Sequence, residues 1–204
     1  PASYQCVLRN ILRNGLSGCE ASCCNANALM YLRHFETVDL DPFGSPSPFL
    51  PAAARSALSF LFITATDTAP LCGAHLKSGI RKYMALPVKT DYHREIGARI
   101  LLGLAARELA RLDKAMVPLL THATEHYVRT YLRIEHGAKM ADQCLEKLGY
   151  IEHCTNCGCF KAISDLRAGN CAACGSPTIL AGPLWLGKMQ DQGAINRAAS
   201  QIGP

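Results

Sequence analysis

Between Tyr4 and Leu16 the apolar residues Val7, Leu8, Ile11 and Leu12 recur at helical spacing, with Arg9 and Arg13 turned away from them. That pattern predicts a helix stopped by Gly15. A short extended piece, Cys19 to Cys24, precedes a second helix over Ala26 to Leu32 and a strand over Phe35 to Asp41, which the turn residues Pro42-Phe-Gly-Ser-Pro46 close. Pro48 to Ser59 fits a helix, Phe60 to Thr66 a buried strand, and Tyr92 to Leu112 a long helix. Strands alternating with helices predict an α/β fold built on a parallel, doubly wound sheet, in which ligands sit beyond the carboxyl ends of the strands. Asp41-Pro-Phe-Gly and Thr66-Asp67-Thr68 both fall at that edge, and the stretch Ala69 to Pro87 is long enough to cover a ligand. From Tyr127 to Glu135 the period changes to two, with Val128, Thr130, Leu132 and Ile134 on one side and Tyr127, Arg129, Tyr131 and Arg133 on the other, as in a strand near a sheet edge. A further helix over Ala138 to Leu148, closed by Gly149, leads into a cysteine-bearing segment. The boundary between two units is therefore expected near Gly137, dividing the chain into residues 1–137 and 138–204. No internal repeat or low-complexity tract interrupts this order.

With 204 residues, 49% of them hydrophobic, the chain can bury a substantial core. Its longest apolar runs, Leu58 to Ala65 and Ile100 to Ala106, are too short to cross a bilayer, so no membrane partner is expected. No secretory signal opens the sequence. The 11 cysteines fall at irregular spacings apart from two Cys-x-x-Cys pairs, which suits a thiol-rich interior in a reducing compartment and predicts a cytoplasmic protein. A net charge of +5 tolerates a polyanionic partner without demanding one.

Two stretches carry specific chemistry. In Asp41-Pro42-Phe43-Gly44 an acid, a proline and an aromatic follow one another at a strand's end. An amine attached to an aromatic ring shares its lone pair with the ring and is a poor nucleophile, so a site that activates it must accept its protons. A carboxylate can take one, a proline's carbonyl the other, and an aromatic ring can stack on the base for roughly 1–3 kcal/mol. The plainer reading is a turn whose aspartate caps a helix starting after Pro46. The second stretch is Cys154-x-x-Cys157, followed after 13 residues by Cys171-x-x-Cys174, with Gly158 and Gly175 after the pairs. Two such pairs match a closed, tetrahedral, structural zinc site, with Cys159 left as a spare.

Asp39-Leu-Asp-Pro-Phe-Gly-Ser-Pro, Thr64-Ala-Thr-Asp-Thr-Ala-Pro-Leu-Cys-Gly, Arg81-Lys-Tyr, Arg99-Ile-Leu-Leu-Gly, His126-Tyr-Val-Arg and Gly182-Pro-Leu-Trp-Leu-Gly together resemble the tRNA (guanine-26 N2)-dimethyltransferase family, with gaps, from Tyr4 to Asp191. The resemblance implies a Rossmann-like class I methyltransferase sheet followed by an α+β unit with a four-cysteine zinc ribbon. It implies S-adenosyl-L-methionine as donor, structural zinc, tRNA as partner, and one or two methyl groups placed on N2 of a guanine. On that footing Asp41 orients and deprotonates the amine, Pro42 supplies a backbone acceptor, and Phe43 stacks on the flipped-out base. Where the family carries Asp-Ala-Asn against the cofactor's adenine, this sequence has Asn25-Ala26-Asn27. Asn25 and Ala26 become the candidate cofactor residues, although Asn-Ala-Asn read alone is a helix start. The family's N-terminal cofactor half, with its small-residue loop, is not in this sequence, so the chain is expected to be a piece lacking both ends and inactive alone. An amino methyltransferase acting on another planar amine, and an RNA-binding zinc module with a vestigial methyltransferase half, are the competing readings.

Weaker signals remain. The Tyr127, Arg129, Tyr131, Arg133 face suits phosphates and stacked bases, or is a half-solvated strand face. Arg99, Arg107 and Arg111, with Arg81, Lys82, Lys89 and Arg94, make a second phosphate track or an ordinary solvated face. His122 and His126 are poorly placed for a metal pair, Trp185 reads as core, and Asp67 either shapes the base pocket or bonds the loop beside it.

Overall fold

The computed structural model describes residues 2–164, 166 and 169–202, so the outer ends of the two expected units, Pro1 and Pro204, lie outside the described residues. Helix α1 (Ala2–Arg13) is amphipathic as its pattern predicts, yet none of its residues is buried. α2 (Ala26–Leu32) starts at Asn25, whose Oδ1 accepts from the Ala28 amide at 3.1 Å and satisfies one of the free amides of the first turn. β1 (Phe35–Leu40) and β2 (Ala57–Ala65) pair in parallel through α3 (Leu50–Ser56), as the alternation predicts. The helix expected to reach Ser59 ends three residues earlier. There Lys114 Nζ, itself buried, donates to the carbonyls of Ala54 and Ala57 at 2.8 Å and satisfies orphan acceptors at the helix's end.

The rest of the first sheet departs from the parallel expectation. Its order is β1-β2-β4-β3, and both β3 (Lys114–Ala123) and β4 (Val128–His136) run antiparallel to their neighbours, so the sheet is mixed. β4 is interior, between β2 and β3; the edges are β1 and β3. The alternation of β4 comes from its two faces. Val128, Thr130, Leu132 and Ile134 are buried, while Arg129, Tyr131 and Arg133 share the opposite face with Phe60 and Phe62 of β2. β3 was not foreseen in the sequence because Pro118 interrupts its apolar run; the proline sits on an edge strand at a register shift, where its missing N–H costs least.

The stretch expected as one loop between the second strand and the long helix contains α4 (Thr68–Leu71) and α5 (Leu76–Tyr83). The long helix, α6 (His93–Ala110), is present, and 11 of its residues are buried, which makes it the spine of the core. α7 (Ala138–Leu145) is shorter than predicted. Gly149 does not close it but lies inside β5 (Leu148–Cys154), where a Cβ would stand 2.4 Å from Leu186 Cδ1 and 2.7 Å from the Ile163 carbonyl oxygen. β5 forms the centre of a second, antiparallel sheet of order β6-β5-β7, with β6 (Phe160–Ile163) and β7 (Thr178–Trp185). The helix α8 (Gln192–Ile202) follows. Leu184 and Trp185 of β7 belong to the same hydrophobic cluster as Ile100, Leu101 and Leu104 of α6, and Trp185 Nε1 donates to the Lys188 carbonyl at 2.9 Å.

Candidate active site

Asp41 is the first residue after β1, and the turn it opens lies at the carboxyl edge of the parallel pair. Phe43 is fully exposed at the tip. Gly44 has φ +88°, a left-handed conformation that glycine adopts without strain. Its amide donates to Thr66 Oγ1 at 2.7 Å and its carbonyl accepts from the Thr66 amide at 3.0 Å. The turn is thus stapled to the residue after β2, so its backbone is set by both strands.

Two aspartates near this turn differ in their surroundings. Asp39 accepts from Arg129 through both oxygens, at 2.9 and 2.8 Å. The same guanidinium donates to Thr64 Oγ1 at 2.6 Å and to the Tyr131 hydroxyl at 3.0 Å, and packs over the Tyr131 ring. The Asp39 hydrogen bonds raise the Arg129 pKa above its ordinary value. Asp41 is exposed, and among the described residues its carboxylate has no ion-pair partner. One acid is committed to the scaffold and the other is free for a ligand.

Beneath the turn runs a polar chain that the sequence did not reveal. Ser45 Oγ donates to the Tyr83 hydroxyl at 3.1 Å, and that hydroxyl donates in turn to Asp67 Oδ1. Lys82 Nζ donates to the other Asp67 oxygen at 2.9 Å. Tyr83 is completely buried; burial first, then the bond to Asp67, push its hydroxyl pKa up, so it remains a neutral donor. Among the described residues the Asp67 carboxylate therefore bonds side chains and not loop amides, and it anchors the tyrosine that supports Ser45. The only local hint was the adjacent Lys82-Tyr83 in a motif otherwise read for charge.

Asn25 and Ala26 lie at the exposed start of α2, and Asn27 Nδ2 ties that helix to the turn segment by donating to the Pro48 carbonyl at 3.1 Å. Asn27 Oδ1 is buried without a partner among the described residues. The Asn25 amide oxygen already caps α2 and keeps a second lone pair for another donor. This end of α2 accordingly has acceptor capacity suited to an amino group such as that of adenine.

Of the arginines read as phosphate tracks, several are already engaged. Arg99 donates to Glu95 and to the carbonyls of Trp185 and Gly187; Arg107 donates to the Tyr83 carbonyl; Arg133 pairs with Glu135. His122 stacks on Tyr131 and meets Tyr127 edge-on, so it belongs to an aromatic layer on the sheet face.

Away from this edge, the Sγ atoms of Cys154, Cys157, Cys171 and Cys174 all lie within 4.8 Å of one another. Cys154 to Cys174 and Cys157 to Cys171 are each 3.5 Å apart. Four thiolates at about 2.3 Å from a tetrahedral zinc would stand about 3.8 Å apart, so the donor set fits that ion closely. Each pair is closed by an amide of the following glycine, Gly158 to the Cys154 carbonyl at 2.9 Å and Gly175 to the Cys171 carbonyl at 2.8 Å. Hydrogen bonds from Ser176, through side chain and then backbone, and from Asn156 pull the Cys174 thiol down to about 5, into the thiolate form that binds metal.

A family model described as N2,N2-dimethylguanosine tRNA methyltransferase matches residues 1–203. The chain belongs to this family. Two curated relatives are tRNA (guanine(26)-N(2))-dimethyltransferases: one from Methanosarcina mazei, 49% identical over 98% of this chain and 53% of its own length, and one from Natronomonas pharaonis, 47% identical over 95% and 54%. The chain thus spans about half the length of the curated relatives it matches. Among solved structures, Trm1 from Pyrococcus horikoshii with S-adenosyl-L-methionine superposes with a TM-score of 0.86 at 34% identity, over 97% of this chain and 57% of that one. Family membership and the mixed α/β fold now stand together, and the resemblance first carried by six short motifs extends over nearly the whole chain.

Proposed function

We propose that this chain is the part of a tRNA guanine N2-dimethyltransferase that holds the target base, and that its reaction places one or two methyl groups on N2 of guanine 26. The reading rests above all on one arrangement: an Asp41 carboxylate unpaired among the described residues, beside a fully exposed Phe43, on a turn whose backbone is fixed by Thr66. Phe43 stacks on the flipped base and the Pro42 carbonyl accepts one amino proton. Asp41 accepts the other, and as the new N–C bond forms and positive charge develops on N2, the carboxylate takes that proton away. S-adenosyl-L-methionine, when bound, would supply the electrophilic methyl group, its methyl–sulfur bond breaking to leave a neutral thioether; Asn25 and Ala26 at the start of α2 are the residues of this chain that would face its adenine.

Zinc in the four-cysteine cluster has a folding role, because four thiolates leave no position for water or substrate. Residues 1–137 form the base-handling unit and 138–204 the zinc-bearing one, with tRNA contacts on both. The test is methylation of a tRNA transcript by the intact protein, with product nucleosides separated by chromatography. Dimethylguanosine at position 26 is expected. Methyl transfer to a different amine, or none to tRNA, would reject the proposal.

A further inference from the structure

A cavity of about 230 Å³ opens beside the candidate active site, lined among others by Thr68, Cys72, Lys89, His93, Arg94 and Glu125. It lies at the same sheet edge as Asp41. Thr68 directly follows Asp67, and Glu125 sits in the turn between β3 and β4, the latter beginning at Val128 opposite Ala65, the last residue of β2.

The cavity's chemistry favours an anion. α6 is 18 residues long and begins here; its N-cap residue, Tyr92, makes no side-chain cap, and the one carboxylate of its first turn, Glu95, is paired with Arg99. His93 Nδ1 is held by the Thr90 carbonyl at 2.6 Å, which fixes the ring at the wall. Among the described residues, Lys89 has no ion-pair partner, in contrast to Lys82, Arg99 and Arg129, which are bound to Asp67, Glu95 and Asp39. Arg94 reaches Glu125 at 3.4 Å, but both side chains are at least half exposed, and a loose rim pair of this kind contributes little.

We propose that this cavity binds a backbone phosphate of the RNA strand next to the methylated base. The inference rests on the tRNA reading above, and it answers a need of that reaction: extruding a base requires that the flanking backbone be held in place, a positioning task that phosphate contacts perform without reading sequence. Lys89 and Arg94 supply both the charge and the hydrogen bonds.

The experiment measures tRNA affinity of the intact protein as a function of salt, for the wild type and for Lys89→Ala with Arg94→Ala, both exposed positions. The double variant should bind about tenfold more weakly, the loss of one charge-assisted contact. The slope of log K against log salt should become shallower by roughly one unit. Glu125→Gln, which leaves both cations in place and frees Arg94, should tighten binding. The site is located with transcripts carrying one neutral methylphosphonate at each linkage flanking guanine 26. One of these should weaken the wild type about tenfold and scarcely affect the double variant. Unchanged affinity and slope in the double variant, or a methylphosphonate penalty equal in both proteins at every position, would overturn the phosphate site while leaving the methyltransferase reading intact. A wild type that neither binds nor methylates tRNA would instead remove the reading on which the site depends.

Discussion

Asp39 and Asp41 stand two residues apart, and their partners divide the work between them. Asp39 gives both oxygens to Arg129, so its charge is spent on holding β1 to β4. Among the described residues Asp41 has no such partner, and replacing it should leave the scaffold unchanged. Asp41→Ala is expected to lower kcat by on the order of 10²–10⁴-fold with little change in KM for tRNA, because the bond to the amine strengthens as charge develops in the transition state. Phe43→Ala should lose more in tRNA affinity, and Phe43→Trp should restore part of it; single-turnover methylation and equilibrium binding separate the two effects. Near-normal turnover by Asp41→Ala would take Asp41 out of the chemistry. This turn was readable in the sequence because its residues are adjacent. The Ser45, Tyr83 and Asp67 chain was not, since its members are up to 38 positions apart and only the packing of α5 under the turn brings them together. Tyr83 offers its own test. Its folded pKa is raised above the ordinary value of 10.0, so its contribution is complete below pH 10 and is lost as pH rises beyond it. Wild-type protein should therefore lose stability above about pH 10 relative to Tyr83→Phe, whereas at neutral pH the variant should be less stable by about 1–3 kcal/mol. Urea unfolding at pH 7.5 and pH 10.5 reads both; parallel pH dependence in the two proteins would mean that the hydroxyl does not stay neutral in the fold.

At the scale of elements, the long and strongly periodic pieces were legible and the punctuated ones were not. α6 and the β1–β2 pair emerge from the pattern of apolar residues alone. α4 and α5 were hidden because Pro70, Gly73 and Gly79 resemble loop residues, but both glycines answer a packing demand. A Cβ at Gly79 would lie 2.6 Å from the Pro70 carbonyl oxygen and 2.7 Å from Pro87 Cγ, so glycine is what lets α5 close on α4. Gly79→Ala should cost about 1–3 kcal/mol through this overpacking. Because α5 carries Lys82 and Tyr83, methylation should fall with it even though residue 79 touches no ligand. Thermal unfolding and turnover measured on the same preparation check this, and unchanged values of both would show that the backbone gives way more easily than the geometry implies. The same reasoning revises the basic strand face. Arg129→Glu would place two acids together at Asp39 and damage the sheet itself, so Arg133, half exposed, is the cleaner position at which to look for a contribution to RNA binding.

On the scale of the whole molecule, α6 joins the two sheets. A Cβ at Gly103 would stand 3.1 Å from the Leu184 Cα, and Arg99 donates to the carbonyls of Trp185 and Gly187 at 2.8 and 3.2 Å, so β7 is held directly against the helix that supports the first sheet. A metal that orders the second sheet should then be felt throughout. One zinc per chain is expected by elemental analysis, and Cys154→Ser with Cys174→Ser should lower the melting temperature of the entire protein. Zinc far below one per chain in active protein would count against the metal. The strand order of the first sheet has a consequence of another kind, for the protein as it is being made. β4 follows β3 in the chain yet lies inside the sheet, so on the ribosome β2 keeps an unpaired edge, flanked by Phe60 and Phe62, until residues 128–136 have emerged. Only then can the β3–β4 hairpin, closed by the Thr124 amide on the Tyr127 carbonyl at 2.8 Å, dock as a unit and cover that edge. A nascent chain stalled before Val128 therefore carries most of the candidate site and none of the strand that completes its sheet, and it is expected to aggregate or be captured by chaperones in place of showing partial activity.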